Sequence, residues 1–197
     1  MLLDAGRTAE AAELCRDLLE TRRATLVLPA MVFASTTLAD LSVRVGDYSA
    51  ARRALDEALP AARRTEATMF VVPALTVEAE LEAARGNTSV ARLALEEAAD
   101  RVVPTRQVVF AYRWLCVAGR LGVESAPSMF ERLRALDGHK AFRAQLLEAE
   151  AIMAGAPELY RAAAEAYAAL DLPYQASRCL TAAAAGEDDL GVEPTRS

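Results

Sequence analysis

The residue types that most often carry out chemistry are few in this 197-residue chain and lack catalytic spacing. His139 is the only histidine and lies beside Gly138 in a predicted turn, so we favour a solvated loop histidine over a catalytic base. Cys15, Cys116 and Cys179 are too scattered to give a zinc-ligand spacing. None of the nine glycines belongs to a Gly-x-x-x-x-Gly-Lys phosphate-binding loop. We therefore expect a non-catalytic protein with no cofactor and no metal.

A polar stripe that recurs on two predicted helices is a better candidate for binding. Thr36 and Thr76 stand at one repeat position, and Asp40 and Glu80 stand one helical turn later. Residues at i and i+4 share one helix face, so each threonine is expected beside its acid. In one interpretation the stripe binds a ligand, and its acids favour a basic or hydrogen-bonding group. In the other, the stripe only solvates the helix face.

Aromatic residues are concentrated on one further predicted helix. Phe110 and Trp114 lie at i and i+4 and share a face, where we favour core packing over ligand contact. Tyr112 points in another direction. Together with Arg113 it is the better candidate for an exposed contact, because tyrosine and arginine are common anchors of interfaces.

Three evenly spaced glycines define the elements that position these side chains. Gly6, Gly46 and Gly86 each open a related stretch, and their numbers rise by 40 at each step (46 − 6 and 86 − 46). After Gly46 the apolar residues follow a helical period: Tyr48, Ala51, Leu55, Ala58 and Leu59. A fixed period of this length is typical of helical-hairpin arrays, whose units bury apolar faces against their neighbours. The period loosens after residue 100, so the last hairpins are expected to be variants or caps.

The other helices follow from apolar periodicity and from the positions of the prolines. They are expected at about 28–45, 68–85, 105–120, 140–153, 157–170 and 173–185. Pro29 and Pro73 are expected in first turns, where a missing N–H costs least. Ser125 is expected to cap the helix that follows it. Residues 1–185 are predicted to form one helical repeat domain, and 186–197 a flexible acidic tail.

Composition and charge exclude several classes of protein. The net charge of −6 opposes direct nucleic-acid contact, because phosphates require clustered positive charge. The longest apolar run, residues 26–34, is far short of the roughly 20 residues that span a membrane. No signal-peptide apolar region follows Met1. The widely spaced cysteines favour reduced, buried thiols, and we expect a cytoplasmic protein.

The run from Gly46 to Pro60 resembles the second half of a tetratricopeptide repeat. Ala39 and Ala79 match the small residue of its first helix, whereas Glu78 replaces an expected apolar residue. The unit is longer than the usual tetratricopeptide unit of about 34 residues. It is similar to the repeats in large ATP-dependent LuxR-type transcriptional regulators, including the maltose-regulon activator group. The segment from Tyr160 to Arg178 resembles the closing repeat of their sensor arms.

The resemblance implies an all-α, tetratricopeptide-like helical-hairpin solenoid: a right-handed superhelix of about five helix pairs with a concave binding surface. With the aromatic helix included, the candidate groove residues are Phe33, Thr36, Asp40, Arg44, Thr76, Glu80, Tyr112 and Arg113. The expected partner is a protein, a peptide or a small effector. The chain is then the sensor or interaction arm of a LuxR-type regulator, or alternatively a stand-alone adaptor that scaffolds a protein complex. The helix-turn-helix and phosphate-binding loop of those regulators have no counterpart in this sequence.

The first hairpin lacks most of its first helix in the sequence. Residues 1–5 occupy the position where that helix should end, which leaves an apolar face uncovered. Two interpretations remain open: the chain is truncated, or the isolated helix packs well enough alone. The face could also pair with a second copy, giving a homodimer through the N-terminal hairpin.

Overall fold

The computed structural model describes residues 8–22, 27–102, 108–135 and 140–190, which form ten helices and no β-strand. The helices are α1 (Thr8–Arg22), α2 (Leu28–Arg44), α3 (Tyr48–Thr65), α4 (Thr68–Ala84), α5 (Thr88–Val102), α6 (Val108–Arg120), α7 (Ala126–Arg134), α8 (Lys140–Ala154), α9 (Pro157–Ala168) and α10 (Pro173–Leu190). The predicted all-α class is confirmed. The predictions for Gly6 and for the turn at His139 lie outside the described residues.

The repeat period found in the glycines also sets where α2 to α5 begin. The starts of α2 and α4 are separated by this same period, and so are those of α3 and α5. The step from Gly86 to the next turn glycine, Gly122, is shorter (122 − 86 = 36), so the period loosens after residue 100, as the sequence predicts. Gly46, Gly86, Gly122 and Gly155 each lie in the turn after a helix with positive φ, and the interval between successive members decreases along the chain. The units thus shorten toward the C-terminus.

The helices form two layers. In the first, α2, α4, α6 and α8 contact one another in succession. In the second, each of α3, α5, α7 and α9 packs against the even-numbered helix before it and the one after it. Each unit therefore buries its apolar face mainly against its neighbours in sequence, as a helical repeat requires.

The predicted apolar stripe of α3 forms part of the core. Ala51 and Leu55 are fully buried, as are their counterparts Ala91 and Leu95 in α5, whereas Tyr48 is 37% exposed. Alanine allows the facing helix to approach closely, and leucine fills the space between hairpins. The main core runs from α2 to α8, and a smaller cluster joins α8, α9 and α10.

The aromatic pair of α6 and two of the three cysteines also lie in the interior. Trp114 is fully buried and its Nε1 donates a hydrogen bond to a backbone carbonyl of α5 at 2.8 Å. Phe110 packs half-buried against the same core, so the core-packing interpretation of this pair is confirmed. Cys116 and Cys179 are buried free thiols, as predicted, whereas Cys15 is only partly buried.

Two local predictions are wrong. Pro29 lies in the first turn of α2, but Pro73 lies beyond the first turn of α4, because the repeat period starts that helix at Thr68. Ser125 occupies the N-cap position of α7, yet its side chain makes no capping hydrogen bond. Its backbone has αR dihedral angles rather than the extended ones that aim a capping hydroxyl at the helix N–H groups.

The last helix extends beyond the predicted end of the domain at residue 185. It continues to Leu190, and residues 191–197 lie outside the described part of the chain. No helix in the described ranges combines the length and apolar character needed to cross a bilayer.

Two leucines of α1 are exposed with respect to the described residues. Leu14 is 56% exposed and Leu18 is 37% exposed, whereas the residues one repeat period later, Ala54 and Ala58, are buried. The difference follows from the layers, since α3 packs on α2 and α4, and α1 packs only on α2 among the described helices. The described residues show nothing that covers this face.

Candidate functional site

Five successive even-numbered helices line an open cavity of about 820 Å³. Side chains of α2, α4, α6, α8 and α10 line it, together with Tyr167 of α9. This volume lies within the roughly 300–1,000 Å³ typical of small-molecule sites. The walls combine aromatic rings with seven charged groups, which gives the cavity both apolar and polar surface.

Arg113 connects three of these helices through two carboxylates. From α6 its Nη1 donates to Oδ2 of Asp40 on α2 at 2.9 Å, and its Nη2 also contacts Glu80 on α4. Arg44, one turn after Asp40, binds the same carboxylate through Nε and Nη2, each at 3.0 Å. Asp40 is therefore held by two guanidinium groups at once.

The pairing keeps this cluster ionised although it is buried. Asp40 is only 4% exposed, and this burial by itself raises its pKa. Arg113 and Arg44 together outweigh burial and hold the pKa of Asp40 below its ordinary value. Burial lowers the pKa of Arg113, but Glu80 and Asp40 raise it further, so the guanidinium also stays charged.

A second buried cluster joins α8, α9 and α10 at the cavity. Glu148 of α8 is 3% exposed and accepts a hydrogen bond from the Tyr167 hydroxyl at 2.8 Å. Arg178 of α10 also pairs with this carboxylate. Burial and the Glu148 charge raise the pKa of Tyr167, so its hydroxyl remains a donor at neutral pH.

Arginines outnumber carboxylates in the cavity walls. The three acids are Asp40, Glu80 and Glu148, and the four arginines are Arg44, Arg113, Arg120 and Arg178. Arg120 is the least engaged of the four, because its only ion pair with a described residue joins Nη2 to Glu80 Oε1 at 3.6 Å. Since the acids are already paired, they do not give the cavity the preference for a basic ligand that the sequence suggests.

Aromatic rings form the apolar part of the walls. Tyr112 stacks on Phe142 of α8 with ring centroids 5.0 Å apart, and its side chain is buried. The prediction of an exposed Tyr112 is therefore wrong, because the stacked α8 ring covers it. Tyr174 of α10 lies beneath the Arg44 guanidinium, 5.9 Å from the ring centroid. This cation–π contact joins the second helix to the last one.

The structure brings together five of the eight predicted groove residues. These are Asp40, Arg44, Glu80, Tyr112 and Arg113, which all line the cavity.

The other three predicted residues lie elsewhere. Thr76 is 1% exposed and donates to the Val72 carbonyl at 2.8 Å, and Thr36 is also buried. Each threonine lies one helical turn before its acid, at a level where packing between the helices buries the polar stripe. Phe33 is 59% exposed and does not line the cavity.

Arg120 is a cavity residue that is missing from the predicted set. Asp40 and Glu80 each lie six residues before a turn glycine, whereas Arg120 lies two residues before Gly122, so the repeat register does not predict its place beside the two acids. Gln145 and Glu148 on α8 follow the shortened units, where this register no longer applies. The Oε1 atom of Gln145 is buried without a hydrogen-bond partner among the described residues, leaving an acceptor at the cavity wall.

A second cavity of about 510 Å³ lies between α1, α2 and α3. It contains none of the predicted groove residues, so the larger cavity is the candidate site. Within the described ranges, no group of three or more His, Cys, Asp or Glu side chains is arranged to hold a metal ion. Comparison with protein-family models, curated proteins and solved structures finds no match to this chain.

Proposed function

We propose that this chain is a non-catalytic, ligand-binding helical repeat of the tetratricopeptide type, and that it forms the sensor arm of a LuxR-type transcriptional regulator. The observation that carries the proposal is the cavity lined by five even-numbered helices. Its paired charges are fixed before any ligand arrives, which reduces the ordering cost of binding.

The helix packing supports the tetratricopeptide part of the proposal. Consecutive helices form two layers, and the interval between turn glycines shortens until it reaches Gly122 and Gly155. That last interval is close to the tetratricopeptide period of about 34 residues. The longer units at the N-terminal end resemble the repeats of the regulator arms, and the segment from Tyr160 to Arg178 resembles their closing repeat.

The chemistry of the cavity favours binding over catalysis. Cys116 is the one thiol among the described residues that line it, and burial raises the pKa of this thiol well above its ordinary value. A thiol that stays protonated at neutral pH is a poor nucleophile. Asp40 and Glu148 are engaged by arginines, which leaves neither of them poised as a general base.

Binding in this cavity gives a physical route to regulation. The walls come from helices spread along the whole array, from α2 to α10. A ligand that contacts several of them favours one relative arrangement of the units over others. It therefore shifts the population toward that arrangement, which is how the arm would bias assembly of its parent protein.

Affinity selection tests the binding part of the proposal. The purified chain is incubated with the small-molecule fraction of its own cells, and retained compounds are identified by mass spectrometry. We expect a compound that is retained by the wild type and lost in Ala83→Trp, which fills the cavity from α4. The control Ala84→Trp adds the same ring at the adjacent exposed position and should retain the compound. Retention of no compound, or equal retention by both variants, would refute binding in this cavity.

The size of the native polypeptide tests the regulator part. An antibody to this segment captures the protein from its own cells, and its peptides are mapped. Peptides from a nucleotide-binding domain and a helix-turn-helix on the same polypeptide are expected for a sensor arm. A native product of about this length would instead favour the adaptor, for which the exposed Leu14 and Leu18 offer a contact surface.

A further inference from the structure

We propose that the cavity takes a small organic anion with an aromatic or otherwise flat apolar body, and that Arg120 holds its negative charge. This inference rests on the proposed function of the cavity as a ligand site. The chemical class of the ligand follows from the cavity arginines, because three of them are bound to carboxylates and Arg120 is less engaged.

Three of the four cavity arginines are already committed to carboxylates. Arg44 and Arg113 each bind Asp40 through two nitrogen atoms, and Arg178 pairs with the buried Glu148. Arg120 is different, since its one ion pair with a described residue is at 3.6 Å, beyond hydrogen-bond distance. Its guanidinium therefore has donors available for a ligand carboxylate, for which its planar shape is suited.

The net charge of the cavity walls is opposite in sign to the net charge of the whole chain. The chain contains 28 acidic and 22 basic residues, whereas the cavity walls contain one more arginine than acids. A cation entering the cavity would find each carboxylate already neutralised and would meet an excess positive charge. An anion would restore neutrality at Arg120, whose side chain is 46% exposed, so that solvent screens part of the attraction.

The surroundings of Arg120 define the body of the ligand. Leu121 lines the cavity beside it, and so does Phe142, whose ring lies over the buried Tyr112. Apolar and aromatic surfaces bind flat apolar groups by burial and stacking. A carboxylate attached to a ring would satisfy both parts of the site.

Three isosteric probes test the charge directly: benzoate, benzamide and benzamidine, which are anionic, neutral and cationic at neutral pH. Each is titrated into the full chain, and dissociation constants are obtained from NMR chemical-shift changes. We expect benzoate to bind about tenfold more tightly than benzamidine, with benzamide between them. The variant Arg120→Gln should lose this preference. The control Arg64→Gln makes the same charge change at an exposed position of α3 and should keep it.

Equal or tighter binding of benzamidine would overturn the inference, as would an unchanged benzoate preference in Arg120→Gln. Binding of none of the three probes would also overturn it. These failures differ from failure of the proposed function, which the cell-extract selection decides. In that selection, a neutral or basic compound that the wild type retains and Ala83→Trp does not would support the cavity as a ligand site. It would refute only the preference for anions.

Discussion

Arg113 is the residue whose loss should most disturb the site, because it joins α2, α4 and α6 through charge. Replacing it by methionine leaves the buried Asp40 with one guanidinium instead of two and releases Glu80. We expect Arg113→Met to lower the free energy of unfolding by about 2 kcal/mol or more, as measured by urea denaturation.

An exposed arginine with the same bonding pattern provides the control. Arg63 binds Glu97 through two nitrogens, at 3.1 and 2.8 Å, but both side chains are well exposed. Arg63→Met should therefore cost less than about 1 kcal/mol, as is usual for surface ion pairs. If Arg113→Met and Arg63→Met lowered the free energy of unfolding equally, burial of Asp40 would not explain the contribution of Arg113 to stability.

Asp40 should make the stability of the protein depend on pH in the acid range. Its folded-state pKa lies below the ordinary value of 3.8, because Arg113 and Arg44 outweigh the opposing effect of burial. The unfolded chain then binds more protons in this range, so the stabilisation is complete above the unfolded pKa. It is lost as pH falls through the lower, folded pKa.

The variant Asp40→Asn isolates this effect. The wild type should be the more stable protein at about pH 6, and the difference in unfolding free energy should shrink toward about pH 3. Urea denaturation of both proteins across this range measures it. If the difference in unfolding free energy between the two proteins stayed constant with pH, the Asp40 charge would not contribute to the pH dependence of stability.

Side-chain positions can be predicted from the sequence only where the repeat register continues. Residue type and spacing assign Asp40, Glu80 and Arg113 to the site, and they do line the cavity. The same reasoning misplaces Thr36 and Thr76, because helical spacing gives a shared face without showing where neighbouring helices close over it. Their burial depends on packing between units.

At the scale of elements, the turns that separate the helices depend on glycine. Gly86 has φ of +83°, and an added Cβ there would meet no atom within 4 Å. An alanine would therefore be disfavoured by its backbone conformation alone. We expect Gly86→Ala to destabilise the protein by about 1 kcal/mol, and Gly86→Asn to cost less, because asparagine tolerates left-handed φ better. Thermal unfolding compares them; equal melting temperatures for wild type and Gly86→Ala would contradict this explanation.

Most helix boundaries can also be predicted, since apolar periodicity and proline mark them locally. The failures at Pro73 and Ser125 do not concern boundaries. α4 begins near its predicted start, which places Pro73 inside the helix, and the αR backbone of Ser125 keeps its hydroxyl from capping α7.

At the scale of the whole molecule, the cavity depends on contacts between units that are distant in sequence. Arg44 reaches Tyr174 across the array, and the Arg113 network crosses three helices. A repeat pattern predicts the layers, because each unit repeats the same local packing. It does not predict the approach of α10 to α2, which the contact between Arg44 and Tyr174 shows.

Hydrogen–deuterium exchange tests the central claim most directly, because it locates binding along the chain. Exchange is compared with and without the small-molecule fraction of the protein's own cells. The proposed site predicts slower amide exchange in α2, α4, α6, α8 and α10, which together line the cavity, and little change in α3 and α5. Slower exchange confined to α1, α3 or α5, or no change anywhere, would contradict a ligand site lined by the even-numbered helices.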